Sequence, residues 1–215
     1  MATLQDMLVE LVLKTHGSLS VPFGEHTIDF TPPYTRVDWV DVLNAALGVD
    51  VETYDDEMLR TLLRAKVVDV LDHEGRGAML DGAYKKFVRP NIIQPTFFID
   101  HPIELSPLAK RHQTNPKRVE RFQLVVGGGI ELMNGFSELN DPIDQRRRFE
   151  AQEKLRRAGD DEAQRIDEDF IEALEHGMPP AAGVGIGVDR LIQLLTNQHN
   201  LKEVILFPTL RPKGE

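Results

Sequence analysis

Along the first sixteen residues Leu4, Met7, Leu8, Leu11 and Val12 recur at intervals of three and four, which lays one apolar stripe on an amphipathic helix, and Gly17 follows it. Asp38 is placed to cap a second helix carrying Val40, Leu43 and Leu47, with Gly48 at its end. A third follows Asp55 with Met58, Leu59, Leu62 and Leu63. Leu80, Tyr84, Phe87 and Val88 mark a fourth, stopped by Pro90. Between the first two, the stretch HTIDFTPPYTRV alternates through Ile28 and Phe30 and reads as a short strand turning into a loop at Pro32 and Pro33. Pro95 to Asp100 is an apolar run of strand length. It leads into HPIELSPLAKRH, where two prolines fix an extended or turning path of the kind that carries side chains past a cleft.

The period changes from helical to alternating between Glu120 and Glu138. Phe122, Leu124 and Val126 alternate with Gln123 and Val125, the turn Gly127-Gly128-Gly129 intervenes, and Ile130 and Leu132 resume the pattern, so a hairpin is predicted. The second arm runs on through Asn134, Phe136 and Glu138, and a period of two places this amide, ring and carboxylate on one face. At about 3.3 Å per residue, Asn134 and Glu138 lie roughly 13 Å apart along the backbone, so inward-leaning side chains suit an amino acid with a cationic tail. Glutamate is poor strand material, and a half-buried carboxylate is costly unless a cation or several donors meet it. The alternative is a face open to water with Glu138 merely solvated.

Beyond Asp141-Pro142 a long charged helical region carries a thin stripe of Phe149, Leu155, Ile166, Phe170, Ile171 and Leu174, broken at Gly159-Asp160-Asp161 into two helices. Arg146 to Arg148 read as a solvated face or as partners for Glu150 and Glu153, with an anion clamp as the alternative. Then Gly183, Gly185 and Gly187 alternate in a strand with little bulk on one face, which lets a flat ring or a neighbouring backbone approach, and Asp189-Arg190 begins a helix. Position 188 is Val where a dinucleotide fingerprint would continue, and no Gly-Lys-Ser or Gly-Lys-Thr is present. Arg190 is the sharper feature, because one guanidinium can stack on a purine and pair with phosphate.

Composition narrows the classes. A chain of 215 residues, 41% hydrophobic and 28% charged, is read as one globular domain with a real core. It has no cysteine, so disulfides and thiolate metal sites are excluded and a reducing compartment, the cytoplasm, is expected. No apolar run approaches the roughly 20 residues of a membrane span, and the amino terminus lacks the features of a signal peptide, so a soluble protein is expected. With 35 acidic against 25 basic residues the net charge is −10, the wrong sign for gripping nucleic acid over a broad surface; any RNA contact must be local. His16 and His26 read as surface histidines, and His101, Glu104 and His112 lack zinc spacing.

At these residues the chain resembles the class II lysyl-tRNA synthetases. GVGIGVDRL is similar to the family's motif 3, and NGFSELNDPIDQRRRF to its lysine-pocket strand and the segment after it. DFTPPYTRV, QPTFFIDHPIELSPLAKRH and VILFPTLRP resemble the family in the same order, so the likeness covers essentially the whole chain. The resemblance implies an α+β fold, an antiparallel sheet flanked by helices that forms part of a class II catalytic core, in a protein that works as a homodimer. It implies that Asn134 holds the α-carboxylate end of lysine, Phe136 packs in its pocket and Glu138 pairs with the ε-ammonium. Glu131 matches a magnesium-binding glutamate at the ATP phosphates, and Arg190, with Gly187 beside it, matches the ATP site of motif 3. The implied reaction is attack of the lysine carboxylate on the α-phosphorus of ATP, then transfer of lysine to tRNA(Lys).

Two departures stand out. Where many members carry a second metal-binding glutamate the chain has Gln123, a weaker magnesium ligand, and the triple-glycine turn is one residue longer than usual. The chain also begins after the place of the family's anticodon-binding barrel, motif 1 and motif 2. A fragment of a longer synthetase is therefore expected, with a paralogue that joins lysine to a protein, or a non-catalytic binding module, as the alternatives.

Overall fold

The structure is a computed structural model that describes residues 1–160 and 163–208. Seven α-helices and seven strands lie among the described residues: α1 (Ala2–His16), β1 (Ser20–Phe23), β2 (His26–Asp29), β3 (Thr35–Asp38), α2 (Trp39–Leu47), α3 (Asp56–Ala65), α4 (Arg76–Phe87), β4 (Thr96–Ile99), β5 (Arg121–Val126), β6 (Ile130–Ser137), α5 (Pro142–Arg157), α6 (Glu168–Glu175), β7 (Ala182–Ile186) and α7 (Val188–Leu195). The helix ends follow the local chemistry. Asp38 Oδ1 accepts from the backbone N–H groups of Val40 at 2.8 Å and Asp41 at 3.0 Å, and Asp55 accepts from that of Met58 at 2.8 Å. Gly17 and Gly48 close α1 and α2 in the left-handed conformation.

The central sheet has the order β3-β4-β5-β6-β7, and β1 and β2 form a separate antiparallel pair. The expectation of an antiparallel sheet holds for three of its four pairings, while β3 runs parallel to β4. The reason is topological: α2, α3 and α4 lie between these two strands, and such a crossover returns the chain in the same direction. Strands β1 and β3 are further corrections: each is only four residues long, and Pro22 within β1 argues against a strand.

One face of the sheet, through Phe97, Leu124, Val126 and Met133, packs against Leu8 and Val12 of α1, Val21 and Ile28 of the small sheet, and Leu191 and Leu194 of α7. On the other face, Phe98 and Val125 meet Trp39 and Leu43 of α2, Leu59 and Leu63 of α3, and Leu80 and Tyr84 of α4. Each such side chain, once removed from water, favours the fold by about 1.5–3 kcal/mol. These helices cover only the β3–β5 half of the second face, and its β5–β7 half holds the site.

Two corrections concern the charged region. Arg148 is buried rather than solvated, bonded to Asp144 at 2.7 Å, and Arg146 forks onto Glu168 at 2.9 and 3.0 Å rather than onto Glu150 or Glu153. Ile166 precedes α6 and is not part of a helical stripe. Asp161, in the predicted break, and Thr209 to Pro212 of the VILFPTLRP segment lie outside the described residues.

Candidate active site

The hairpin of β5 and β6 turns at Gly127, Gly128 and Gly129, all three with positive φ (62°, 78° and 108°), a path closed to most L side chains. Its register pairs Arg121 with Phe136, Gln123 with Asn134 and Leu124 with Met133, and then shifts, so that Val125 pairs with Glu131. This bulge has a consequence for the site. Strict alternation would put Glu131 on the face opposite Asn134, but the extra residue on β6 restores Glu131 to the same side. Cross-strand partners share a face, so Arg121, Gln123, Glu131, Asn134 and Phe136 line one surface. Across the next pairing, Gly185 lies beside Asn134 and Gly183 beside Phe136, so the glycines of β7 form a low floor along that surface.

Strand β6 ends at Ser137, and Glu138 continues its line as a single bridge to Ala109. Its carboxylate hangs over Gly183: a Cβ built there would lie 2.6 Å from Glu138 Oε1. Burial pushes the Glu138 carboxyl above its ordinary value, and no ion pair to it forms among the described residues. A partly buried carboxylate without a protein cation is one that a bound cation would stabilise.

At the other end, Arg190 reaches from the first turn of α7 and donates from Nη1 to the carbonyl of Glu131 at 2.7 Å. Gly187 permits this, because a Cβ there would stand 3.2 Å from Arg190 Cδ. The β5 side is walled by α4 and the segment after β4, where Asp81, Tyr84, Lys85, Arg89, His101, Arg121, Gln123 and Glu131 surround a cavity of about 240 Å³. His101 is 1% exposed; burial, with the charge of Arg121 second, pushes its imidazole down to about 3, so it stays neutral.

Magnesium is held at nucleotide phosphates by one or two carboxylates, with phosphate and water oxygens completing the shell. Glu131, turned onto the site face, could supply one such carboxylate, whereas Gln123 is buried and its side chain meets His101. No group of three or more His, Cys, Asp or Glu side chains suited to a metal occurs among the described residues.

The structure thus brings together Gln123, Glu131, Asn134, Phe136, Glu138, Gly187 and Arg190. Sequence reasoning missed Arg121, whose Nε donates to Asn134 Oδ1 at 2.9 Å, and the wall contributed by α4. The only local signal for Arg121 is a charge at the start of an apolar strand.

The family model described as tRNA synthetases class II (D, K and N) matches residues 1–211. Among curated proteins, the chain is 46% identical over 209 residues to the lysine–tRNA ligase of Porphyromonas gingivalis, covering 97% of this chain and 36% of that protein. To the ligase of Fervidobacterium nodosum it is 44% identical over 211 residues, covering 98% and 41%. To that of Aquifex aeolicus it is 46% identical over 211 residues, covering 97% and 35%. The chain therefore spans about two fifths of the length of these relatives or slightly less.

Proposed function

The chain belongs to the class II tRNA synthetases of the D, K and N group, and from that premise we propose that it supplies the lysine pocket and part of the ATP site of a lysine–tRNA ligase. The observation that carries this reading is the uncompensated Glu138 carboxylate, set over Gly183 on the face that also presents Asn134 and Phe136. A carboxylate held short of a cation, two residues beyond a ring and four beyond an amide, matches the ε-ammonium, methylene chain and α-carboxylate of lysine in order. A partner cation would repay the desolvation of Glu138, which gives selectivity over neutral side chains of equal length.

On this reading Asn134 donates to the α-carboxylate and orients it toward the α-phosphorus of ATP. One carboxylate oxygen forms the new P–O bond, the bond from the α-phosphorus to the bridging oxygen breaks, and pyrophosphate leaves with that electron pair. Arg190 lies along the nucleotide, its planar guanidinium suited both to stack on adenine and to pair with phosphate. Glu131 would hold magnesium, and the metal would neutralise charge on the phosphates. Lysine then passes from the adenylate to the end of tRNA(Lys), with the acidic chain confining RNA contact to a local patch. The 215 residues are read as one partial catalytic domain of a cytoplasmic homodimer. The cysteine-free composition supports the compartment, and no helix among the described residues is long and apolar enough to cross a membrane.

Calorimetric titration with L-lysine and with L-norleucine, which lacks the ε-ammonium, tests the pocket. The protein should bind lysine and not norleucine, and Glu138→Gln should remove the preference. Equal lysine affinity in the two proteins would overturn the assignment.

A further inference from the structure

Arg121 makes three hydrogen bonds that join separate elements. Nε donates to Asn134 Oδ1 at 2.9 Å, and Nη1 donates to the carbonyl of Leu105 at 2.8 Å and to Ser106 Oγ at 2.9 Å. The first bond fixes more than a distance. An isolated asparagine can present either its carbonyl or its NH2 to a ligand, but a guanidinium has only donors, so the atom facing Arg121 must be the oxygen. Because the amide is planar, holding Oδ1 against Arg121 fixes which end of the amide is which and leaves the Nδ2 end, with its two donors, free of Arg121.

Arg121 is itself held, because the loop it grips is bolted from behind. Arg148 Nη1 donates to the carbonyls of Ser106 at 3.2 Å and Ala109 at 2.6 Å, and Gln145 Nε2 donates to that of Pro107 at 3.1 Å. The same loop borders the other end of the pocket, since the N–H of Lys110 donates to the Ser137 carbonyl at 2.7 Å and that of Leu139 to the Leu108 carbonyl at 3.0 Å.

We infer that Arg121 is a positioning residue for carboxylate recognition: it locks the Asn134 amide so that donors, not an acceptor, face the ligand. This rests on the lysine reading above. Lysine at position 121 could not replace it, because a single ammonium cannot hold Oδ1, a carbonyl and a hydroxyl in one plane.

Cadaverine, which is lysine without its carboxylate, separates this role from general support of the fold. In calorimetric titrations, Arg121→Met should weaken L-lysine binding about tenfold or more, the scale of a lost hydrogen bond to a charged group, while cadaverine affinity stays within about twofold. Parallel losses for both ligands would show a merely structural arginine and overturn the inference. Should circular dichroism show Arg121→Met unfolded, Arg121→Lys decides the matter, since it keeps the charge but not the fork that holds Oδ1 and the loop together. Lysine binding should then fall at least tenfold with cadaverine retained, and retention of lysine binding overturns the inference. Wild-type protein that binds lysine no more tightly than norleucine would sink the lysine reading and this inference together, an outcome distinct from either variant result.

Discussion

Glu138 and Gly183 are matched by shape: the carboxylate oxygen occupies the space that any side chain at position 183 would claim, 2.6 Å from an added Cβ. Gly183→Ala should therefore displace Glu138. The clashing atom is the end of a flexible side chain, so the fold should lose less than about 1 kcal/mol. Lysine affinity should fall roughly tenfold, because the ion pair loses its geometry. A thermal melt beside a lysine titration checks both halves, and an unchanged lysine dissociation constant would show that the placement of Glu138 is immaterial.

The pH dependence of lysine binding should report the same carboxylate. Burial raises Glu138 above its ordinary 4.5, so the free site takes up a proton at a pH where exposed glutamates remain ionised. Bound ammonium favours the ionised form, so binding releases that proton. Affinity is full above the raised value and declines as pH falls through it, beginning above 4.5. For the empty protein the sign is reversed: a carboxyl with a raised folded value destabilises when ionised, and protonation relieves this. Glu138→Gln should abolish the acid limb of the binding profile. A limb that persists in that variant would assign it to another group.

Arg148→Met tests the loop support. The guanidinium is buried against Asp144, whose carboxyl burial pushes up but Arg148 and Arg111 hold below its ordinary value, and it satisfies two loop carbonyls. Its removal should cost about 3 kcal/mol, read from urea unfolding. Because the loop spans both ends of the pocket, preference for lysine over the shorter ornithine should also fall. An unaltered lysine-to-ornithine ratio in a protein destabilised as expected would confine Arg148 to the fold.

Arg190→Lys retains charge but not the planar fork that reaches the Glu131 carbonyl, so ATP affinity should drop about tenfold. Gly187→Ala should do the same more weakly, through the 3.2 Å approach to Arg190 Cδ. Displacement titrations with a fluorescent ATP analogue measure both, and ATP affinities equal to wild type would remove Arg190 from the nucleotide site.

The sequence alone determined what short-range physics controls. The stripe of α1, the caps at Asp38 and Asp55, the glycine turn and the shared face of Asn134, Phe136 and Glu138 depend on residues within one turn or strand, and they are present except that Met7 of the stripe stays exposed. The glycine-lined strand leading to Arg190 was legible for the same reason.

Tertiary structure decided what depends on partners distant along the chain. The parallel pairing of β3 with β4 joins segments about sixty residues apart, so neither strand's own alternation contains it. The bulge that brings Glu131 onto the site face is a property of two strands in register, and period-two counting on β6 alone gives the opposite face. Arg121 and Arg148 read as ordinary charges because nothing nearby in sequence meets their full set of donors. Their acceptors, at Asn134 and in the loop from Leu105 to Ala109, come within hydrogen-bonding distance only when sheet, loop and α5 converge, and that convergence turns two surface-type side chains into supports of the pocket.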